Sequence, residues 1–161
     1  MIYGIFSTVV FIIILPFWLI LGMFKPKLVN GFMEKLGLFS TPALKKAKTV
    51  VFYGVSVGEV IAIENLIRKT RETFPEINIV LMTGTKTGQD IAHKKLADVC
   101  DFISYFPFDF PFCIENMIQK INPDAVFVME TELWPNFANI MSKKKIKLFI
   151  ILCKILIFIV I

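Results

Sequence analysis

From Thr49 to Leu152 the chain alternates short, unbroken apolar runs with longer stretches whose apolar residues recur at helical spacing. Thr49–Val55 (TVVFYGV) predicts a buried strand, and Glu59–Phe74 predicts an amphipathic helix stopped by Pro75. Ile77–Met82 predicts a second strand, followed by the turn Thr83–Gly88 and a helix through about Ala97. Phe102–Phe106 predicts a short strand, then turns at Pro107 and Pro111 and a helix over Phe112–Lys120. Asn122-Pro123-Asp124 marks a turn, Ala125–Met129 a strand and Trp134–Met141 a helix, and a last strand opens at Ile146. Strands separated by helices predict a parallel, doubly wound α/β sheet. In such a sheet, the turns that follow the strands share one edge, and that edge is where ligands bind.

The pattern before Thr49 is different. Met1 to Phe24 holds no charged residue, and as a helix it would reach ~36 Å, enough for a hydrocarbon core of ~30 Å. It lacks a basic leader and an Ala-x-Ala-like cleavage site, so residues 1–24 are expected to be one uncleaved transmembrane helix, kinked at Pro16. Residues 25–48 carry six lysines against the single acid Glu34, which accounts for the chain's whole net charge of +5. They are expected to form a basic, membrane-proximal linker that meets anionic lipid headgroups. The positive-inside rule then puts the folded part, residues 49–152, on the cytoplasmic face. No basic stripe continues into that part, which argues against a nucleic-acid partner.

Little metal or thiol chemistry is on offer. Cys100, Cys113 and Cys153 form no metal-ligand or CxxC spacing and are expected to be free thiols. His93 stands alone on a predicted helix, where a surface position is expected.

Three strand-to-helix turns carry chemistry. Ser56-Val57-Gly58-Glu59 puts a glutamate in the first turn of a helix. There it complements the helix dipole, and a carboxylate near apolar strands can also be tuned into a general base; on Glu59 alone, capping is the simpler reading. Thr83-Gly84-Thr85-Lys86-Thr87-Gly88 offers hydroxyls, backbone amides and a cation at a helix N-terminus, which suits an anion as well as an ordinary turn. It lacks the GxxxxGK[ST] spacing of a P-loop. In Glu130-Thr131-Glu132-Leu133-Trp134-Pro135, an extended backbone would point both glutamates to one side. Trp134 reads as core packing ahead of a sugar-stacking platform. Asp109, in Phe106-Pro107-Phe108-Asp109-Phe110-Pro111, reads first as a turn cap.

Taken in order, Glu34-Lys35-Leu36-Gly37, Ser56-Val57-Gly58-Glu59, Thr83-x-Thr85-x-Thr87-Gly88, Phe106-Pro107-x-Asp109 and Glu130-Thr131-Glu132-Leu133-Trp134-Pro135 resemble the N-terminal part of the 3-deoxy-D-manno-octulosonic acid (Kdo) transferases. The resemblance runs over roughly residues 1–150. It implies the N-terminal Rossmann-like domain of a GT-B glycosyltransferase of the bacterial inner membrane. Such an enzyme moves Kdo from CMP-Kdo to the lipid A precursor in lipopolysaccharide synthesis, with no metal and no cofactor. It implies Glu59 as the general base, with Glu130 in the same cleft as a second catalytic residue. Ser56, Gly58, Thr85, Lys86, Thr87, Gly88, Asp109 and Glu132 are the implied substrate-binding positions, Lys86 holding an anionic group.

The family pattern breaks near the C-terminus. An Asn-Ala-Arg/Lys-Leu-Ser-like segment is expected after the last strand, and residues 153–161 read Cys-Lys-Ile-Leu-Ile-Phe-Ile-Val-Ile instead. A second membrane span over Ile146–Ile161 would be short and interrupted by Lys147 and Lys154. A shifted reading frame accounts for Cys153-Lys154-Ile155 better. The resulting expectation is a chain with an aberrant apolar tail and no donor domain, inactive alone. The alternatives are a non-catalytic lipid-binding fragment, a pseudogene product or a two-span membrane protein.

Overall fold

The structure is a computed structural model that describes residues 9, 13, 16, 30–130, 134–152 and 155–157. The elements run α1 (Phe32–Lys35), β1 (Thr49–Gly54), α2 (Val57–Thr73), β2 (Asn78–Thr83), α3 (Lys86–Leu96), β3 (Phe102–Tyr105), α4 (Pro111–Ile121), β4 (Ala125–Met129), α5 (Pro135–Lys143), β5 (Lys147–Leu152) and β6 (Ile155–Ile157). The sheet order is β3-β2-β1-β4-β5-β6. The first five strands are parallel and β6 is antiparallel to β5. This is a Rossmann-like sheet, as the alternating pattern predicts. Element ends move by one to three residues from the expected ones.

Both faces of the sheet are covered, which is why the strands read as continuous apolar runs rather than alternating ones. Val51, Tyr53, Val80, Met82, Val126, Val128 and Leu148 pack under α4 and α5 through Ile114, Met117, Phe137 and Met141. Phe52, Ile79 and Leu81 face the other way, onto Val60, Ile63 and Ile67 of α2 and Ala92 and Leu96 of α3. On that face Phe52, Phe127 and Phe149 stack across three neighbouring strands, with centroid spacings of 5.2 and 4.6 Å. Aromatic pairs of this kind add about 0.5–1.5 kcal/mol each beyond the area they bury.

Two parts of the structure add to the expected pattern. Residues 30–48 are fastened to the domain. The buried Asn78 side chain accepts from the Lys45 amide (2.9 Å) and donates to the Lys45 carbonyl (3.0 Å). The Glu34 carboxylate accepts from Ser104 Oγ (2.7 Å) and the Tyr105 amide (3.0 Å). Gly31 (φ 66°) and Gly37 (φ 75°) bracket α1. A Cβ at Gly31 would fall 2.0 Å from the Tyr105 ring, and one at Gly37 would fall 2.7 Å from the Cys113 carbonyl oxygen. Only glycine combines that backbone with that approach.

The second is at the C-terminal end. The strand expected from Ile146 is β5, and residues 155–157 add an antiparallel strand to it, with Ile150 opposite Ile157 and Leu152 opposite Ile155. No helix among the described residues is long and apolar enough to cross a membrane. The expected span at 1–24 lies almost wholly outside the described residues.

Candidate active site

The strand order reverses between β1 and β4, each of which leads to a different neighbour. A crevice opens beyond the strand ends at such a point. The turn after β1 holds Ser56 and Glu59, and the turn after β4 holds Glu130. The sequence therefore delivers its carboxylates to both sides of the switch point.

Ser56 is the N-cap of α2, and Glu59 closes a capping box with it. Glu59 Oε2 accepts from the Val55 amide (2.7 Å) and Oε1 from Ser56 Oγ (2.9 Å), while the Glu59 amide points at Ser56 Oγ (3.5 Å). Each carboxylate oxygen keeps a second lone pair, so a third donor can still be accepted. Gly58, one residue earlier, is exposed.

The turn after β2 is tied to the turn after β1. The amides of Gly84 (3.2 Å) and Thr85 (3.1 Å) and the Thr85 hydroxyl (3.1 Å) all donate to the Val55 carbonyl. Thr85 caps α3 by accepting from the Gly88 amide (3.1 Å). Gly88 is buried, and a Cβ there would lie 3.0 Å from the Val55 carbonyl oxygen. Thr87 is exposed beside Thr85, hydroxyl to hydroxyl at 3.4 Å. Lys86 points outward to a two-pronged pair with Asp90 (2.6 and 2.8 Å), and that hydrogen bond holds its pKa above the ordinary lysine value.

A second pair of turns also meets. Both oxygens of Asp109 are taken by the start of α5, Oδ1 by the Phe137 amide (2.8 Å) and Oδ2 by the Asn136 amide (3.2 Å). Asn136 returns a bond from Nδ2 to the Asp109 carbonyl (2.6 Å). Asp109 is thus a cap, but of a helix 27 residues further on rather than of its own turn. Burial pushes its carboxyl above the ordinary 3.8, outweighing the two amide bonds.

A cavity of about 430 Å³ separates the two pairs of turns. Tyr53, Val55, Gly84, Phe106, Phe108, Asp109, Phe110 and the exposed Trp134 line it, with the Tyr53 and Phe106 rings stacked at 3.7 Å. Trp134 is 41% exposed, so the expectation that it packs in the core does not hold. Lys35, from α1, completes the wall. Lys35 belongs to the Glu34-Lys35-Leu36-Gly37 motif, to which the family resemblance assigns no role.

Glu130 sits at the end of β4 with φ 58°, its amide donating to the Ile151 carbonyl at 2.8 Å. The extended backbone expected there is replaced by a left-handed bend. Glu132 lies outside the described residues. His93 is exposed. Cys100 and Cys113 are free, and burial pushes both thiols up to about 12, out of the reactive range. Among the described residues no three His, Cys, Asp or Glu side chains are grouped to hold a metal.

Comparison with known proteins adds the family. Residues 30–155 match the family model of the 3-deoxy-D-manno-octulosonic-acid transferases (kdotransferases). The 3-deoxy-D-manno-octulosonic acid transferase of Haemophilus influenzae is 32% identical over 127 residues, which cover 79% of this chain and 30% of that protein. The protein of the same name from Chlamydia muridarum is 27% identical over 124 residues, covering 77% of this chain and 28% of its own length. Among solved structures, a UDP-N-acetylglucosamine 2-epimerase aligns over 66% of this chain and 33% of its own, with a TM-score of 0.46 and 15% identity. The chain thus spans about a third or less of each of these proteins. By the match over residues 30–155, it belongs to the 3-deoxy-D-manno-octulosonic acid transferase family.

Proposed function

We propose that this chain is the acceptor-side part of a GT-B Kdo transferase, which moves Kdo from CMP-Kdo to a hydroxyl of the lipid A precursor. The observation that carries this reading is the meeting of four turns around one apolar cavity at the sheet's switch point, in a chain of this family. The acceptor is a lipid at the cytoplasmic face of the inner membrane, reached by a chain anchored through residues 1–24. A largely apolar wall with one cation, and a carboxylate already taken up by the start of α5, suits such a molecule better than it suits a free nucleotide. The donor is expected to sit on a second domain of the kind that longer relatives have room for. Transfer needs both substrates held together.

Within this reading Glu59 deprotonates the acceptor hydroxyl, using its unoccupied lone pairs or leaving the capping box when the acceptor arrives. Ser56 and the Val55 amide fix its carboxylate until then. Glu130, in the turn after β4, is proposed as the second catalytic residue of the same cleft. Ser56, Gly58, Thr85, Lys86, Thr87, Gly88, Asp109 and Glu132 are proposed to contact or frame the substrates, Asp109 by fixing the start of α5. The reaction is proposed to need no metal.

The test has two readouts. The full chain in neutral detergent should bind lipid A precursor saturably. Substituted for the matching stretch of the Haemophilus influenzae relative, it should support Kdo transfer from CMP-Kdo. Glu59→Gln in that chimaera should lower transfer by roughly 10²–10⁴-fold, the usual contribution of a general base, with acceptor binding kept. Unchanged transfer in Glu59→Gln would remove the base role. Absence of both binding and transfer would remove the function.

A further inference from the structure

The cavity wall contains a charge that the turns already described do not explain. Lys35 is half-buried at the C-terminal end of α1, where its ammonium lies 4.9 Å from the centroid of the Tyr105 ring and 5.9 Å from that of Phe108. Among the described residues it has no ion pair and no side-chain hydrogen bond. The nearby acids are engaged elsewhere. Glu34 accepts from Ser104 and the Tyr105 amide, and Asp109 accepts from two α5 amides. The aromatic faces partly solvate the cation, but a ring face takes none of the three N–H donors as a hydrogen bond to oxygen would, and no oxygen of the described residues accepts from them. Burial accordingly lowers the Lys35 pKa below 10.5, with Glu34 pulling weakly the other way.

The placement is enforced rather than accidental. Gly31 admits α1 against Tyr105, Glu34 pins it to β3, and the Lys35 carbonyl accepts from the Phe108 amide at 2.8 Å. Three separate features thus hold a poorly solvated ammonium at a mostly apolar cavity. The cost of holding it there is recovered only if an anion completes its shell.

We infer that Lys35 and the cavity beside it form a binding site for the phosphate-bearing head of an amphiphilic lipid, with the phosphate on the Lys35 ammonium and apolar groups against Tyr53, Phe106, Phe108 and Trp134. This deepens the acceptor reading above and rests on it for the identity of the lipid. The chemistry itself, an anion joined to an apolar body, follows from the wall. It also separates Lys35 from Lys86, whose charge is already met by Asp90.

The probe is dodecyl phosphate, presented to the full chain in micelles of a neutral maltoside detergent. Affinity is read by calorimetry, and occupancy by protection of the Lys35 amine from acetylation. Wild type should bind the probe and protect Lys35. Lys35→Met, which keeps the apolar stem, should weaken binding by roughly ten- to a hundredfold, the worth of a charge-assisted hydrogen bond in a partly dry site. Lys35→Arg should keep most of the affinity, and thermal melting should show both variants folded. Undiminished binding to Lys35→Met, or no protection of Lys35 in wild type, overturns the inference. Inorganic phosphate binding as tightly as dodecyl phosphate overturns the lipid part of it. If Lys35-dependent binding holds but lipid A precursor fails to displace the probe, the acceptor reading falls and the anionic-lipid site stands.

Discussion

Lys35 and Lys86 are both lysines near the ligand edge of the same sheet, and their surroundings give them opposite roles. Lys86 begins α3, is exposed, and meets Asp90 one helical turn on. Lys35 ends α1, is half-buried, and among the described residues meets two aromatic faces and pairs with no carboxylate. Read from sequence, Lys86 is the obvious anion site, because it sits among threonines and glycines at a helix N-terminus. Folded, it already has a counter-charge in water, a pairing worth little and easily screened. What makes a cation available to a ligand is the absence of a nearer acceptor, which only the tertiary structure can decide.

The comparison is broken most severely at Gly31. Gly31→Val places a branched side chain into the Tyr105 ring at a left-handed backbone. It should cost about 2–4 kcal/mol of stability, from strain and overpacking together, by chemical denaturation. It should also detach Lys35 from the cavity and abolish its protection by dodecyl phosphate.

Asp109 comes next. Asp109→Ala removes the cap of α5 and should cost about 0.5–2 kcal/mol in the same measurement. Its raised pKa has a definite sign. The folded state holds the proton more tightly than the unfolded chain, so this group's contribution to stability is fully present below about 3.8 and is lost as pH rises through the higher folded value. Asp109→Asn should flatten that part of the stability–pH curve, and an unchanged curve would mean that Asp109 is not desolvated.

Smallest is Lys86→Ala. It should change stability little, an effect that fades further in salt. It should weaken dodecyl phosphate binding less than Lys35→Met does. The reverse order would exchange the roles of the two lysines.

The strands and long helices are legible because their signals are local. Asn78–Thr83 is buried along its whole length and reads as one apolar run, and the helix over 57–73 announces itself by Ser56, Glu59 and a stop at Pro75. The four-residue helix α1 is not legible, because tertiary bonds from Glu34 and space left by Gly31 hold it rather than helix propensity. Nor is the left-handed bend at Glu130, which no glycine marks. The turns that converge could be foreseen from the parallel topology, since each follows a strand. Asp109's reach to α5 and Trp134's exposed place rather than one in the core could not, because both depend on how two distant turns pack.

The central claim is that the cavity beside Lys35 receives the lipid acceptor of a Kdo transferase. It is tested most directly by titrating lipid A precursor into the full chain already loaded with dodecyl phosphate. Displacement should be complete, with acetylation of Lys35 still blocked after the exchange. Failure of the lipid to displace the probe, or displacement that leaves Lys35 open to acetylation, would contradict it.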